Sequence, residues 1–230
     1  ALRHGSAEHV RLLAEAMKRM TNDKDTYMGD PAYVDVPVER LVSKPYAAER
    51  PAEIARGERA TVTRLGGSSR DTTHISVVDG DGMAVALTYT LEGGYGSHVV
   101  ASGTGVLLNN EMGDFNKKPG YTGLTGDIGT AANVIAPGKR MLSSMTPTIV
   151  TRDGELVLVT GSPGGRTIIN TVFNVVLNVL EYDMGVRAAV DAKRHHHQWL
   201  PDTVSFEADA LPEATAEELR AMGHGVRMRG

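Results

Sequence analysis

Near the start of the chain, Val10, Leu13, Met17 and Met20 recur at helical spacing with charged residues between them, behind Ser6, a residue able to cap. This pattern predicts a helix. Beyond it, Gly29-Asp30-Pro31 and then Pro37, Pro45 and Pro51 predict short helical pieces broken by extended loops. From about Glu49 to Arg70 the chain is charged and ends in Gly66-Gly67-Ser68-Ser69, which predicts a flexible exposed linker. At Thr72 the period changes from helical to alternating. Ile75 and Val77, then Met83, Val85, Leu87 and Tyr89, flank Asp79-Gly80-Asp81-Gly82 and predict a hairpin. A second hairpin is predicted from Thr148-Ile149-Val150 and Leu156-Val157-Leu158-Val159 around Asp153-Gly154. Between the two, Gly105-Val106-Leu107-Leu108 predicts a buried strand, and a Gly/Thr/Pro-rich loop runs from about Lys117 to Arg140.

From Arg166 to Tyr182, Ile168, Ile169, Val172, Phe173, Val176, Leu177, Val179 and Leu180 form a broad apolar face, with Asn170, Asn174 and Asn178 on the opposite stripe. The expectation is a helix whose apolar face lies on a sheet. A short helix from Val186 to Ala192, a strand near Val204-Ser205-Phe206 and a helix from Ala214 to Met222 stopped by Gly223 complete the pattern. Helices and hairpins in this mixture place the chain in the α+β class.

Composition narrows the function classes. With 230 residues, 41% hydrophobic and 23% charged, the chain can bury a core. A net charge of −4 and 5% aromatic residues give no basic stripe for nucleic acid. No apolar run is long enough to cross a bilayer. The absence of cysteine removes disulfides, thiolate catalysis and thiolate metal sites. The run His195-His196-His197 is a poor metal site, since consecutive side chains diverge, and no metal is expected there.

The stretch RDTTHISVV, Arg70 to Val78, raises a chemical possibility. A threonine hydroxyl reacts poorly unless a base takes its proton. Cutting the peptide bond ahead of the threonine frees an α-amine with a pKa of roughly 7.7 to 8.0, within reach of that hydroxyl. Thr72 has a glycine-serine linker before it and a strand-forming run after it, which suits this arrangement. An Asp-Thr pair before a strand is equally an ordinary strand start.

Context decides between the two. The blocks Thr72-Thr73-His74-x-Ser76-Val77-Val78-Asp79-x-Asp81-Gly82, Thr88-Tyr89-Thr90-Leu91, Leu107-Leu108-Asn109-Asn110-Glu111-Met112-x-Asp114-Phe115, Lys139-Arg140-x-Leu142-Ser143-Ser144-Met145-x-Pro147, Thr160-Gly161-Ser162-Pro163-Gly164-Gly165 and His196-His197-Gln198-Trp199-Leu200-Pro201-Asp202 follow one another in order. Together they resemble the γ-glutamyltransferase family of N-terminal nucleophile hydrolases. The resemblance covers essentially the whole chain.

That resemblance implies a four-layer αββα sandwich, no metal or organic cofactor, and a precursor that cleaves itself at Asp71-Thr72. Residues 1–71 would then be the end of a large subunit with its linker, and residues 72–230 the small catalytic subunit. The family's α-carboxylate-gripping arginine is expected to lie before Ala1 and its last strands beyond Gly230. Thr72 would attack a γ-glutamyl amide, usually that of glutathione, and pass the acyl group through an ester to water or to an amino-acid or peptide amine. The large subunit of the same precursor would be its partner, and a periplasmic or secreted setting is implied, with a cytoplasmic one left open. Thr90 would orient the nucleophile, although it could also be a strand threonine packed on its neighbour. Gly164 and Gly165, between a proline and a helix, would supply backbone N–H groups as an oxyanion hole. Ser143 and Ser144 would bind the donor's α-carboxylate, and Glu111 and Asp114 its α-ammonium. Taken separately, a Ser-Ser pair also suits a loop or cap, and Glu-Met-Gly-Asp a solvated turn.

Two departures stand out. Glu92 occupies the place where many members carry an asparagine on the α-amino group, which puts donor preference in doubt, and Met141 stands where proline is frequent. The loop from about Pro119 to Ala132 corresponds to a lid, with Tyr121 as a gate or a surface residue. Two other readings remain: a cephalosporin or glutaryl acylase of the same superfamily, and a truncated homologue without turnover.

Overall fold

A computed structural model describes residues 2–55, 57–60, 72–116, 118, 120–121 and 129–228. In chain order its elements are helices α1 (Ala7–Tyr27), α2 (Val38–Leu41) and α3 (Lys44–Ala55), strands β1 (Thr72–Val78), β2 (Ala84–Thr90), β3 (Thr148–Arg152) and β4 (Glu155–Thr160), helices α4 (Ile168–Leu180) and α5 (Val186–Asp191), strands β5 (His195–His196) and β6 (Thr203–Phe206), helix α6 (Glu213–Ala221) and strand β7 (Gly225–Met228). The α+β class holds. Among the described residues no helix is long and apolar enough to cross a membrane. The predicted linker from residue 61 onward, including Asp71, and most of the predicted lid lie outside the described residues.

Two compact units are present, and both are discontinuous in sequence. One takes Ala1–Gly67, Phe115–Leu142 and His195–Gly230; the other takes Ser68–Asp114 and Ser143–Arg194.

In the first unit, α1 starts where the sequence places it, with the Ser6 hydroxyl accepting from the His9 backbone N–H at 3.3 Å. Its apolar stripe, Ala7, Val10 and Ala14, packs with Val204 and Phe206 of β6, Leu211, and Ala216 and Leu219 of α6. The sheet beneath has the order β5-β6-β7, antiparallel then parallel, and α6 forms the crossover that parallel pairing requires. The edge strands β5 and β7 carry no alternating run of their own and escape the sequence pattern. Helix α3 corrects the expected break at Pro51, because it runs straight through that residue. A proline there removes one backbone bond, and burial of Tyr46 and Ile54 on either side of it holds the helix together.

Polar groups are also buried in this unit. The ammonium of Lys18, fully buried, bridges Glu15 and Asp202 at 3.0 Å each. Glu15 further accepts from Arg19 at 2.7 Å and from the Ala60 backbone N–H at 2.9 Å. Asp202 also meets Arg59 at 3.2 Å and the His197 ring at 3.1 Å. Such a charge cluster survives burial because each charge faces an opposite one. The three consecutive histidines go separate ways: His195 stacks on Phe206, His196 bonds Gln198, and His197 bonds Asp202 and accepts from the Trp199 backbone N–H.

In the second unit both predicted hairpins form. Strands β1 and β2 are antiparallel in the register Thr72 opposite Thr90 and His74 opposite Thr88, closed by Asp79, whose carboxylate accepts from the N–H groups of Asp81 and Met83. Strands β3 and β4 pair from Thr148 opposite Thr160, with a bulge at Val150/Thr151 and left-handed Asp153 and Gly154 at the turn. Two expectations fail. Val106 and Leu108 are exposed and only an isolated Val100–Leu107 bridge forms there, so this apolar run is not a buried strand. On α4 the asparagine stripe is buried together with Ile168, Val172 and Val175. Asn174 donates to the Asn170 carbonyl at 2.6 Å and Asn178 reaches the Ala189 carbonyl of α5 at 3.4 Å, so burial leaves their amides bonded.

Candidate active site

The second unit contains the described nucleophile, oxyanion and head-group candidates, Thr72, Thr90, Glu92, Glu111, Asp114, Ser143, Ser144, Gly164 and Gly165. Hairpin register does the first part of the assembly. Because β1 and β2 close at a short turn, Thr72, the first residue of β1, lies across from Thr90, the last residue of β2. Both are half-buried.

The segment after β2 turns back sharply. Glu92 sits at φ +69°, its N–H donating to the Thr90 hydroxyl at 2.9 Å. Asn110 then closes the loop, its N–H donating to the Leu91 carbonyl and its side chain accepting from Gly93. Asn109 accepts from the Glu111 N–H at 3.0 Å and starts the single helical turn Glu111–Asp114. The Glu92 carboxylate lies directly against that turn, 2.1 Å from where a Cβ on Gly113 would fall.

Three carboxylates therefore converge beside Thr90. Glu111 is buried and hydrogen-bonds the side chains of Thr90 and Asp114. Burial first, then the charges of Asp114 and Glu92, pushes its pKa up to about 7. Its Oε1 has no hydrogen-bond partner among the described residues. A site of this kind is short of positive charge, and a ligand ammonium would supply it. Among the described residues no group of three or more His, Cys, Asp or Glu is arranged to hold a metal ion.

Ser143 and Ser144 lie in the extended approach to β3, half-buried. The Ser143 hydroxyl accepts from the Met145 N–H at 3.1 Å, and the Ser144 carbonyl accepts from the Thr146 hydroxyl at 3.0 Å. Gly164 and Gly165 adopt φ +129° and +57°, backbone that L side chains rarely take up. The Gly164 carbonyl accepts from both the N–H and the hydroxyl of Thr167, which fixes the turn at the start of α4. The geometry thus joins Thr72, Thr90, Glu92, Glu111 and Asp114 through register, hydrogen bonds and charge, while the two serines sit on the segment before β3 and the two glycines on the turn after β4. Tyr121, the expected gate, is exposed, with the Lys118 ammonium 4.5 Å from its ring centre.

The Thr72-Thr73-His74 motif adds a further side chain to the surroundings. His74, on the same face of β1 as Thr72, bonds the Thr88 hydroxyl at 2.8 Å and the Ser76 hydroxyl at 3.0 Å. The signal was the two-residue spacing from Thr72.

Known proteins match the chain along its whole length. The Gamma-glutamyltranspeptidase family profile matches residues 1–230. A Glutathione hydrolase proenzyme of Pseudomonas aeruginosa is 46% identical over 229 residues, which cover 98% of this chain and 41% of that protein. This chain therefore spans about two fifths of the length of such curated relatives. Among solved structures, a threonine-to-alanine mutant of Helicobacter pylori gamma-glutamyltranspeptidase aligns at TM-score 0.65 and 47% identity, over 68% of this chain and 84% of that one. A cephalosporin acylase from Bacillus halodurans aligns at TM-score 0.80 and 26% identity, over 99% of this chain and 39% of that one. With its full length matched and close to half its residues shared with such a relative, the chain belongs to the gamma-glutamyltranspeptidase family.

Proposed function

We propose that this chain carries the nucleophile of a γ-glutamyl acyltransferase and hydrolase, in which Thr72 becomes an N-terminus by self-cleavage of the Asp71-Thr72 bond. In this reading residues 1–71 end the large subunit, residues 72–230 belong to the small one, and the architecture is the four-layer αββα sandwich. The observation that carries it is the register of Thr72 against Thr90, with the Thr90 hydroxyl bonded to the buried carboxylate Glu111. One threonine is thus set next to another that leads directly into an acidic cluster.

The chemistry follows from the groups present. The α-amine of Thr72 takes the proton of its own hydroxyl while Oγ bonds the donor's γ-carbonyl carbon, and the negative oxygen faces the Gly164 and Gly165 N–H groups. Collapse breaks the amide bond, and the leaving amine departs with that proton. Water or an acceptor amine then attacks the threonyl ester, gives its proton to the α-amine, and releases Oγ, which recovers it. Ser143 and Ser144 take the donor's α-carboxylate, while Glu111 and Asp114, joined by Glu92, take its α-ammonium. Glutathione and related γ-glutamyl compounds present this head group, and a bacterial periplasm or exterior is the setting we assign.

The acylase alternative shares the nucleophile but changes the acyl group. A glutaryl chain has no α-ammonium, so binding it would leave three carboxylates facing one another uncompensated. Hydrolysis of γ-glutamyl-p-nitroanilide at a kcat/KM at least tenfold above that of glutaryl-p-nitroanilide is expected, and the reverse order would overturn the assignment. Mass spectrometry of the folded, incubated precursor should find a new chain beginning at Thr72. An intact bond, or cleavage and turnover surviving Thr72→Ala, would point instead to a protein without this nucleophile.

A further inference from the structure

The His74 ring is half-buried, and among the described residues its hydrogen bonds go to hydroxyls and not to a carboxylate. Burial lowers its pKa, so it is neutral at pH 7, with one nitrogen donating and the other accepting. Its neighbours determine which is which. The Ser76 hydroxyl donates its single hydrogen to the Val159 carbonyl of β4 at 3.3 Å, so it accepts from His74 Nε2–H at 3.0 Å. Nδ1 is then the acceptor for the Thr88 hydroxyl at 2.8 Å. A single directed chain of hydrogen bonds results, from β2 through β1 to β4.

The ring also fills a place on β4's continuation. A Cβ added at Gly161 would lie 2.2 Å from both Cε1 and Nδ1 of the imidazole, so glycine is required for the ring to fit. Gly161 is one residue past the end of β4 and three residues before Gly164. His74 is two residues after Thr72. The same imidazole therefore touches the strand that presents the proposed nucleophile and the backbone that leads to the proposed oxyanion donors.

We infer that His74 is a positioning residue for the reaction: seated on Gly161 and bonded to Thr88 and Ser76, it sets the spacing between Thr72 and the Gly164–Gly165 turn. The inference rests on the acyl-transfer reading above. It concerns the fit of strand to loop and involves no proton transfer to substrate. Packed interiors transmit small shifts, and a displacement of about 1 Å at reacting groups can cost on the order of a hundredfold in rate.

The test is a double-mutant cycle in the full precursor, with cleavage, kcat, KM and thermal stability read for each protein. Wild-type cleavage and turnover come first, so failure of the underlying reading shows there and not in the variants. Gly161→Ala and His74→Ala are each expected to lower kcat about tenfold or more and to slow appearance of the Thr72 terminus, with KM within twofold of wild type. The combined variant should be no slower than His74→Ala alone, because the added methyl enters the space the ring has left. His74→Asn, which keeps a polar group near the Nδ1 position, should recover part of the loss. Should Gly161→Ala fail to fold alone yet fold in the His74→Ala background, the steric half of the inference stands, and the kcat of His74→Ala decides the rest. Losses that multiply in the double variant, a change in KM with kcat intact, or lowered melting with unaltered kcat in the folded fraction would each overturn it.

Discussion

Replacing Lys18 with methionine keeps most of the side chain's volume and stem while removing a cation shared by Glu15 and Asp202. Breaking one side of a buried ion pair costs about 3–5 kcal/mol, because the partner charge stays behind uncompensated. Here the lower end applies. Glu15 keeps Arg19 and the Ala60 N–H, while Asp202 is about one-third exposed and keeps Arg59 and the His197 ring. For a chain of this size about 3 kcal/mol corresponds to a melting point lower by roughly 6–12 °C. Circular dichroism melts at pH 7.5 measure it directly. Lys18→Met combined with Glu15→Gln removes both members of the more deeply buried pair and should recover part of the loss. A Lys18→Met protein as stable as wild type, or a double variant worse than the sum of its parts, would refute the claim that this ammonium holds the cluster.

The remaining expectations concern the acidic cluster and the buried imidazoles. Glu111 binds its proton more tightly folded than unfolded, so its cost to stability is absent below about pH 4.5 and complete above about 7; Glu111→Gln should raise the melting temperature more at pH 8 than at pH 5, while raising the KM of a γ-glutamyl donor. Glu92→Asn relieves a left-handed non-glycine residue, because asparagine tolerates that backbone, and should stabilise by up to about 1 kcal/mol in denaturant titration. Burial depresses His9 and His224 to about 4 and His195 to about 3. The unfolded chain therefore binds more protons below pH 6.5, and stability should fall steadily from pH 6.5 to about 4; a flat profile across that window would contradict the burial of these rings.

The two hairpins were legible because an alternating pattern and a Gly-Asp turn specify strand pairing locally, and the pairing alone places Thr72 opposite Thr90. The acidic cluster was legible only as a set of residue types. Its closure depends on Asn109 and Asn110 folding back on Leu91 and Gly93, contacts the linear pattern does not encode. Charge and polarity misled in the interior. Lys18 and the three asparagines of α4 read as solvent-facing. One of Lys18's two carboxylate partners, Asp202, lies far along the chain, and Asn178 reaches the Ala189 carbonyl of α5, while Asn174 bonds the Asn170 carbonyl of its own helix. Val106 and Leu108 erred the other way, as apolar side chains left exposed although their backbones bond Ala101 and Val99.

The first compact unit takes its helix α1 from one side of Thr72 and its strands and α6 from the other. Neither portion carries that hydrophobic interior by itself, so a cut at Thr72 could be made usefully only after the chain had folded. Two polypeptides synthesised separately from the start would each face water with half of an interior, whereas one chain severed late would stay joined by the core it had already formed.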